Sequence, residues 1–293
     1  MIVSIASGKG GTGKTTVAAS LARVWEKPLV AVDLDVEEPN LHLFLHPNIK
    51  ESATACQEVP VVDESKCTLC GACSELCQFK AISVMGTLLL TFPEMCHGCG
   101  GCIALCPEKA LSPGERELGE ISRGQVNGTQ FLMGRLRVGE AMSPPLMRHV
   151  KSRLKDIIAA NGRDAIIDAP PGVSCPAVTA VIDSDVIVLV TEPTPFGFYD
   201  FKLACEAFSP LGKPMGVIVN RAGIGNGDVY SFCRREGIPV LAEIPFERAV
   251  AEGYARGRII ADLSTEFRNI FVSIRSKICA LALRPTLREA VHA

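Results

Sequence analysis

Apolar residues in this chain come in short runs separated by stretches of helical period. Residues 2–6, 29–32, 165–167, 186–190, 216–219 and 240–244 are aliphatic, β-rich runs of strand length, closed by polar residues, Gly or Pro. Residues 14–25 and 146–160 place apolar positions at helical spacing. Residues 117–138 alternate around Asn127-Gly128, the signature of a β-hairpin. Further on, Phe267, Ile270, Phe271, Ile274, Ile278 and Leu281 share one helical face, with Arg268, Arg275 and Lys277 elsewhere. Such a helix either packs on the sheet or lies on a membrane surface. Strands alternating with helices predict an α/β fold with a doubly wound, mostly parallel sheet.

The segment 57–113 breaks that rhythm. It holds eight of the thirteen cysteines, in two runs of the form C-x2-C-x2-C-x3-C. The first is Cys67, Cys70, Cys73 and Cys77; the second is Cys96, Cys99, Cys102 and Cys106, followed by Pro107 where the first has Gln78. Gly71, Gly98, Gly100 and Gly101 lie between the cysteines, where the backbone must turn tightly. The repeat runs on, since the residues from Cys77 to Ile82 echo those from Cys106 to Leu111. Thiolates at this spacing hold iron–sulfur clusters in bacterial two-cluster ferredoxins, where the fourth cysteine of each run reaches the other cluster. The spacing therefore assigns Cys67, Cys70, Cys73 and Cys106 to one [4Fe-4S] cluster, and Cys77, Cys96, Cys99 and Cys102 to a second. Zinc and disulfides are the competing uses. The spacing is not that of a zinc ribbon, and an N-terminus without a basic leader or long apolar run suggests a cytoplasmic, reducing setting. A segment this short buries little apolar surface, so bound clusters would supply much of its folding energy.

Charge narrows the functions further. The net charge of −2 gives no basic field for DNA, and 5% aromatic against 47% hydrophobic residues suits an aliphatic sheet core. The five histidines are scattered and no nucleophile–base set stands out, which argues against covalent catalysis. His97 lies between two cysteines of the second run.

Gly8-Lys9-Gly10-Gly11-Thr12-Gly13-Lys14-Thr15 follows an apolar strand and opens a helix, and it fits the phosphate-binding P-loop pattern. Backbone N–H groups of such a loop curl around phosphate oxygens, and the helix start adds partial positive charge. Lys14 reaches the β- and γ-phosphates in this reading. Thr15 ligates Mg2+, and Thr16 bonds another phosphate.

Lys9, directly after the first glycine, resembles the deviant Walker A motif of the MinD/ParA/Mrp/NifH ATPases. More of the chain fits: Asp33-Leu-Asp35 running into Glu37-Glu38-Pro39 resembles the family's switch I, and Asp168-Ala-Pro170-Pro171-Gly172 its Walker B and switch II. Asn220-Arg221 resembles the adenine-reading segment, and Pro245-Phe246 the segment packing on the base. The resemblance implies an ATP-dependent homodimer in which Lys9 reaches the partner's nucleotide. It further implies that Asp35 positions the attacking water, Asp33 and Asp168 support Mg2+, and Gly172 senses the γ-phosphate. Residues 1–56 and 114–293 then form the two parts of a P-loop ATPase domain, interrupted by a small α+β ferredoxin domain at 57–113.

Five cysteines lie outside the runs. Cys205, Cys233 and Cys279 read as small apolar residues, and Cys56 carries no motif. Cys175 stands where the nitrogenase iron protein has a cluster ligand, which makes it a candidate extra metal contact, although residues 140–143 supply no second cysteine. The whole resembles MinD-superfamily ATPases containing an inserted ferredoxin. That implies coupling of ATP turnover to electron transfer or metallocluster handling on an acceptor protein, for instance a related ATPase subunit. A positioning ATPase with structural or sensing clusters, and an Mrp-like cluster scaffold, are the alternatives.

Overall fold

β1 (Ile2–Ala6) runs into a glycine-rich loop and then α1 (Lys14–Val24), as the apolar pattern requires. β2 (Leu29–Asp33), the short α2 (His42–Leu45) and the long β3 (Asn48–Val62) follow. The cysteine segment forms α3 (Ala72–Leu76), a hairpin of β4 (Ile82–Met85) and β5 (Leu88–Thr91), and α4 (Gly101–Leu105). After it come β6 (Leu111–Val126), β7 (Thr129–Leu136), α5 (Ser143–Asn161), β8 (Asp164–Asp168), α6 (Cys175–Val181), β9 (Val186–Thr191) and α7 (Pro195–Phe208). The described residues end in β10 (Met215–Ala222), α8 (Asp228–Glu236), β11 (Val240–Pro245), α9 (Arg248–Ala255) and α10 (Thr265–Ala282). This computed structural model describes residues 1–283, which divide into two compact units.

The first unit comprises Met1–Ser52, Ile121–Arg135 and the described residues from Met147 onward. Its strands belong to a sheet of order β11-β10-β9-β1-β8-β2-β7-β6-β3, and β11 through β7 pair in parallel. β6 returns to β7 through Asn127 (φ 47°) and Gly128 (φ 81°), a two-residue turn that needs both angles positive. The expected strands and the hairpin are all present. The register sets Asp33 directly opposite Asp168 on the neighbouring strand ends of β2 and β8. β1 lies between β8 and β9, so the loop leaving it opens where the connections diverge to either side of the sheet.

α10 settles the two readings of its apolar face. Phe267, Phe271, Ile274, Ile278 and Leu281 are buried in the same core as α1. The basic residues are engaged as well: Arg275 donates to the Val24 carbonyl at 2.6 Å, Lys277 to the Leu241 carbonyl at 2.5 Å, and Arg268 pairs with Asp262 at 3.7 Å. Phe271→Ala is therefore expected to destabilise the first unit by about 3–5 kcal/mol, measured by chemical denaturation. A helix held only by a membrane would show no such loss. No described helix is long and apolar enough to cross a membrane.

The second unit is Ala53–Glu120 with Leu136–Leu146. It reaches past 57–113 because polar contacts tie later segments to β6. Arg116 pairs with Glu140, both buried; the Arg137 N–H donates to the Leu118 carbonyl at 3.0 Å, and its side chain to the Glu117 carbonyl at 2.9 Å. The two cysteine runs fold alike. Leu69 and Gly98, Gly71 and Gly100, and Lys80 and Lys109 all have positive φ at matching places, and α3 and α4 start at matching residues. The sequence duplication is thus a backbone duplication.

Candidate functional site

The eight cysteines gather around two cavities within the second unit. Cys67, Cys70, Cys73 and Cys106 line one; Cys77, Cys96, Cys99 and Cys102 line the other. Each cavity takes three cysteines from one run and the fourth from the other. The remaining wall is largely apolar, with Val84 and Leu89 at the first and Phe79, Ile82 and Ile103 at the second. His97 stacks on Phe79 with ring centroids 3.5 Å apart. Backbone N–H groups point at sulfur in repeated fashion: Ala81 to Cys77 and Ala110 to Cys106, each at 3.3 Å, with Gly98 to Cys96 at 3.4 Å. Such donors favour a thiolate over a thiol. Burial opposes that at Cys73 and Cys102, pushing both thiols up, and their neighbouring cysteines add to the shift. A bound metal group would remove those protons outright. Among the described residues no three His, Cys, Asp or Glu side chains converge as ligands of a single ion. The donor set, the apolar walls and the N–H groups aimed at sulfur fit a cluster held by four thiolates.

The first unit carries a cleft of about 430 Å³, a size suited to a nucleotide. Its floor is the P-loop, with Gly10, Gly11, Gly13, Lys14, Thr15 and Thr16; Asp35 lies on one side, and Asn220, Arg221, Pro245 and Phe246 on the other. Gly13 (φ 95°) immediately precedes α1, and it must be glycine because a Cβ there would strike the Asn220 amide. Asn220 donates to the Thr12 carbonyl at 2.7 Å, and the Arg221 N–H donates to the Asn220 Oδ1 at 2.9 Å. The predicted adenine segment is therefore bonded to the phosphate loop. Gly8 packs against the Asp200 backbone on α7, where a Cβ could not fit.

The acidic residues divide by their partners. Asp33 is fully buried and accepts from the N–H groups of Leu41 and Asp35 at 2.9 and 3.1 Å, so it shapes the loop after β2 from behind. Asp168 is buried with both carboxylate oxygens unpartnered. Burial pushes both groups well above the usual carboxylate range; Asp168 adds to the shift at Asp33, and Asp35 to that at Asp168. Asp35 is raised to about 6 by burial, against the pull of Lys14. An orphaned carboxylate with Lys14 and Thr15 close by fits the support of a Mg2+ ion or its water shell. Gly172 (φ 92°) donates its N–H to the Ser7 carbonyl at 3.0 Å, so that N–H is already bonded in this structure. Pro170 precedes Pro171, which lines the cleft.

The model for the CobQ/CobB/MinD/ParA nucleotide binding domain matches residues 3–260. The chain belongs to that family. An uncharacterized protein of Methanocaldococcus jannaschii is 37% identical over 84% of this chain and 86% of its own length. Among solved structures, the cell division ATPase MinD of Pyrococcus furiosus superposes with a TM-score of 0.58 at 24% identity, covering 96% of this chain and 98% of that one. The septum site-determining protein MinD of Pyrococcus horikoshii, complexed with Mg-ADP, gives 0.55 at 22% identity, covering 96% and 97%. At these identities the likeness to the MinD structures is one of fold.

Within this family's fold the structure adds residues that motif reading passed over. Tyr254, Val250 and Ala251 of α9 line the nucleotide cleft, and Tyr254 is exposed. The helical period of α9 is ordinary, so nothing local marks Tyr254 as a cleft residue. Glu192 bonds Lys9 and Arg221. It directly follows β9, much as Asp33 and Asp168 close β2 and β8, but no family motif surrounds it. Cys175 is exposed at the first residue of α6 and belongs to no group of three or more ligand side chains among the described residues. Cys205 and Cys233 are buried, and burial raises them to about 12 and about 11, as inert core thiols require.

Proposed function

We propose that this protein hydrolyses ATP with Mg2+ and carries two [4Fe-4S] clusters, and that it acts as a nucleotide-dependent homodimer coupling turnover to electron transfer or metallocluster handling on a partner protein. The observation that carries the reading beyond the family is the three-plus-one grouping of cysteines around two cavities, matching the ligand exchange of two-cluster ferredoxins. Bound there, such clusters supply one-electron chemistry at low potential. At the nucleotide cleft Lys14 and the α1 N-terminus hold phosphate charge, Thr15 and Asp168 serve Mg2+, and Asp35 orients water. Phosphoryl transfer needs little more than this positioning and charge. The Mg-ADP in the Pyrococcus horikoshii protein supports the same ligand here. Lys9 completes the site of a second copy, and the cytoplasm is the compartment that suits these thiols.

In sequence the cysteine segment follows switch I and precedes switch II, so both of its attachments lie near segments that respond to the γ-phosphate. Reduction potentials and cluster exposure measured in ADP-bound and ATP-analogue-bound protein are expected to differ; identical values would remove the basis for coupling. Lys9→Ala is expected to abolish ATP-dependent dimerisation in sedimentation experiments.

A positioning ATPase with structural or sensing clusters is the second reading. The family and fold comparisons taken alone favour it, since the solved structures named above are MinD proteins. It predicts vesicle or filament recruitment with ATP and no redox difference between nucleotide states. An Mrp-like scaffold predicts instead ATP-dependent cluster transfer to an apo-acceptor.

A further inference from the structure

In this structure Lys9 faces its own protomer. Its Nζ donates to Glu192, which is 5% exposed and directly follows β9. Thr194 Oγ1 donates to the same carboxylate oxygen at 3.3 Å, and Arg221 Nη1 donates to the other at 2.8 Å. Arg221 has φ 54° and also donates to the Gly11 carbonyl at 3.3 Å. One buried carboxylate thus gathers the P-loop lysine and the residue after Asn220. The loop carrying it has little slack. Gly197 abuts Glu192 where any Cβ would collide, and the Pro193 carbonyl accepts from the Asn226 N–H at 3.1 Å.

We propose that Glu192 is a positioning residue for Lys9, holding the lysine on its own protomer in the free chain and releasing it to the nucleotide of a second copy. The proposal rests on the trans-acting role of Lys9 given under Proposed function. Charge makes the release feasible. A buried carboxylate stripped of its only cation would oppose the exchange strongly, whereas Glu192 keeps Arg221 when Lys9 leaves. Burial opposes ionisation of Glu192, but Lys9, Arg221 and Thr194 outweigh it and hold the carboxyl below its usual value. The lysine leaves only when a site of greater negative charge, such as a partner's triphosphate, competes for it. Glu192 thereby sets the threshold for nucleotide-dependent association.

Sedimentation of the full chain with Mg2+ and a non-hydrolysable ATP analogue tests this in wild type, Lys9→Ala, Glu192→Gln and Glu192→Asp. Asp retains a charge for Arg221 but is one methylene short of Lys9. Both Glu192 variants are expected to associate at roughly tenfold lower protein concentration than wild type, the scale of a typical coupling between sites. Reductive methylation read by mass spectrometry, without nucleotide, is the second measurement: Lys9 should react faster in both variants, a change that a purely structural role would not produce. Circular dichroism confirms folding. Association in wild type that Lys9→Ala abolishes, with Glu192 variants associating no better and Lys9 no more reactive, overturns the latch alone. A wild-type chain that never associates with nucleotide overturns the dimer reading and the latch with it.

Discussion

Replacing Cys73 and Cys106 together is expected to halve the iron bound after anaerobic reconstitution, whereas replacing Cys73 and Cys77 together should remove nearly all of it. The first pair lines one cavity; the second pair takes one cysteine from each. Wild type should hold about eight iron and eight sulfide per chain, the content of two cubanes. If each run instead held its own cluster, the two double variants would exchange behaviour, because Cys73 and Cys77 would then serve one site. Both variants lose two cysteines, and the contrast follows from a cubane needing all four thiolates, since the second variant takes one from each cavity. It also separates zinc from iron, because metal analysis reads both elements. The second unit is small and its α3 and α4 bury no residue fully, so loss of both clusters should cost much of its structure as well. Circular dichroism of the Cys73/Cys77 variant should show that loss beside the loss of iron.

Much of the first unit was legible because its strands are buried on both faces and therefore read as unbroken aliphatic runs. β2, β8 and β9 are buried at every position. Asp33 and Asp168 close two of these runs, but it is the resemblance to the family's switch I and Walker B segments that singles them out; Glu192 follows a third run with no such motif around it. β3 was less legible. Its buried positions include Ala55, Gln57 and Val59, and the glutamine breaks the alternation that would have announced a strand. Gln57 is buried because its amide donates to the Cys96 carbonyl, a contact between residues far apart in sequence. The attachment of residues 136–146 to the second unit rests on Arg116 and Glu140, again a polar pair that hydrophobic period does not reveal. Asp33 shows the other limit. Its position was predicted, but the two backbone N–H groups it accepts make it the organiser of a loop, and only the folded chain shows that its oxygens are occupied.

Asp168→Asn should stabilise the nucleotide-free protein while disabling it. Both Asp168 oxygens are buried without a hydrogen-bond partner, and Asp33 stands opposite on the next strand. Burial raises the folded-state pKa of Asp168 and of Asp35, the latter from 3.8 to about 6. The folded chain therefore holds these protons more tightly than the unfolded chain does. Stability from them is fully present below the unfolded value and falls as pH rises through the folded one. At pH 7.5 the carboxylates are a liability that Mg2+ and nucleotide offset. Asparagine keeps the shape and removes the charge, which should add about 1–2 kcal/mol in the absence of ligand. The thermal midpoint of the variant should also depend less on pH between 4 and 8 than that of wild type. Hydrolysis should fall by about 100- to 1,000-fold, the scale of removing one electrostatic stabiliser of a transition state. Added Mg-ATP should no longer raise the midpoint as it does in wild type. A variant less stable than wild type at pH 7.5, yet protected equally by Mg-ATP, would make Asp168 a structural acid and move the metal role to another residue. The opposed effects of stability gained and activity lost are expected where burial places an unpaired charge for a ligand to meet.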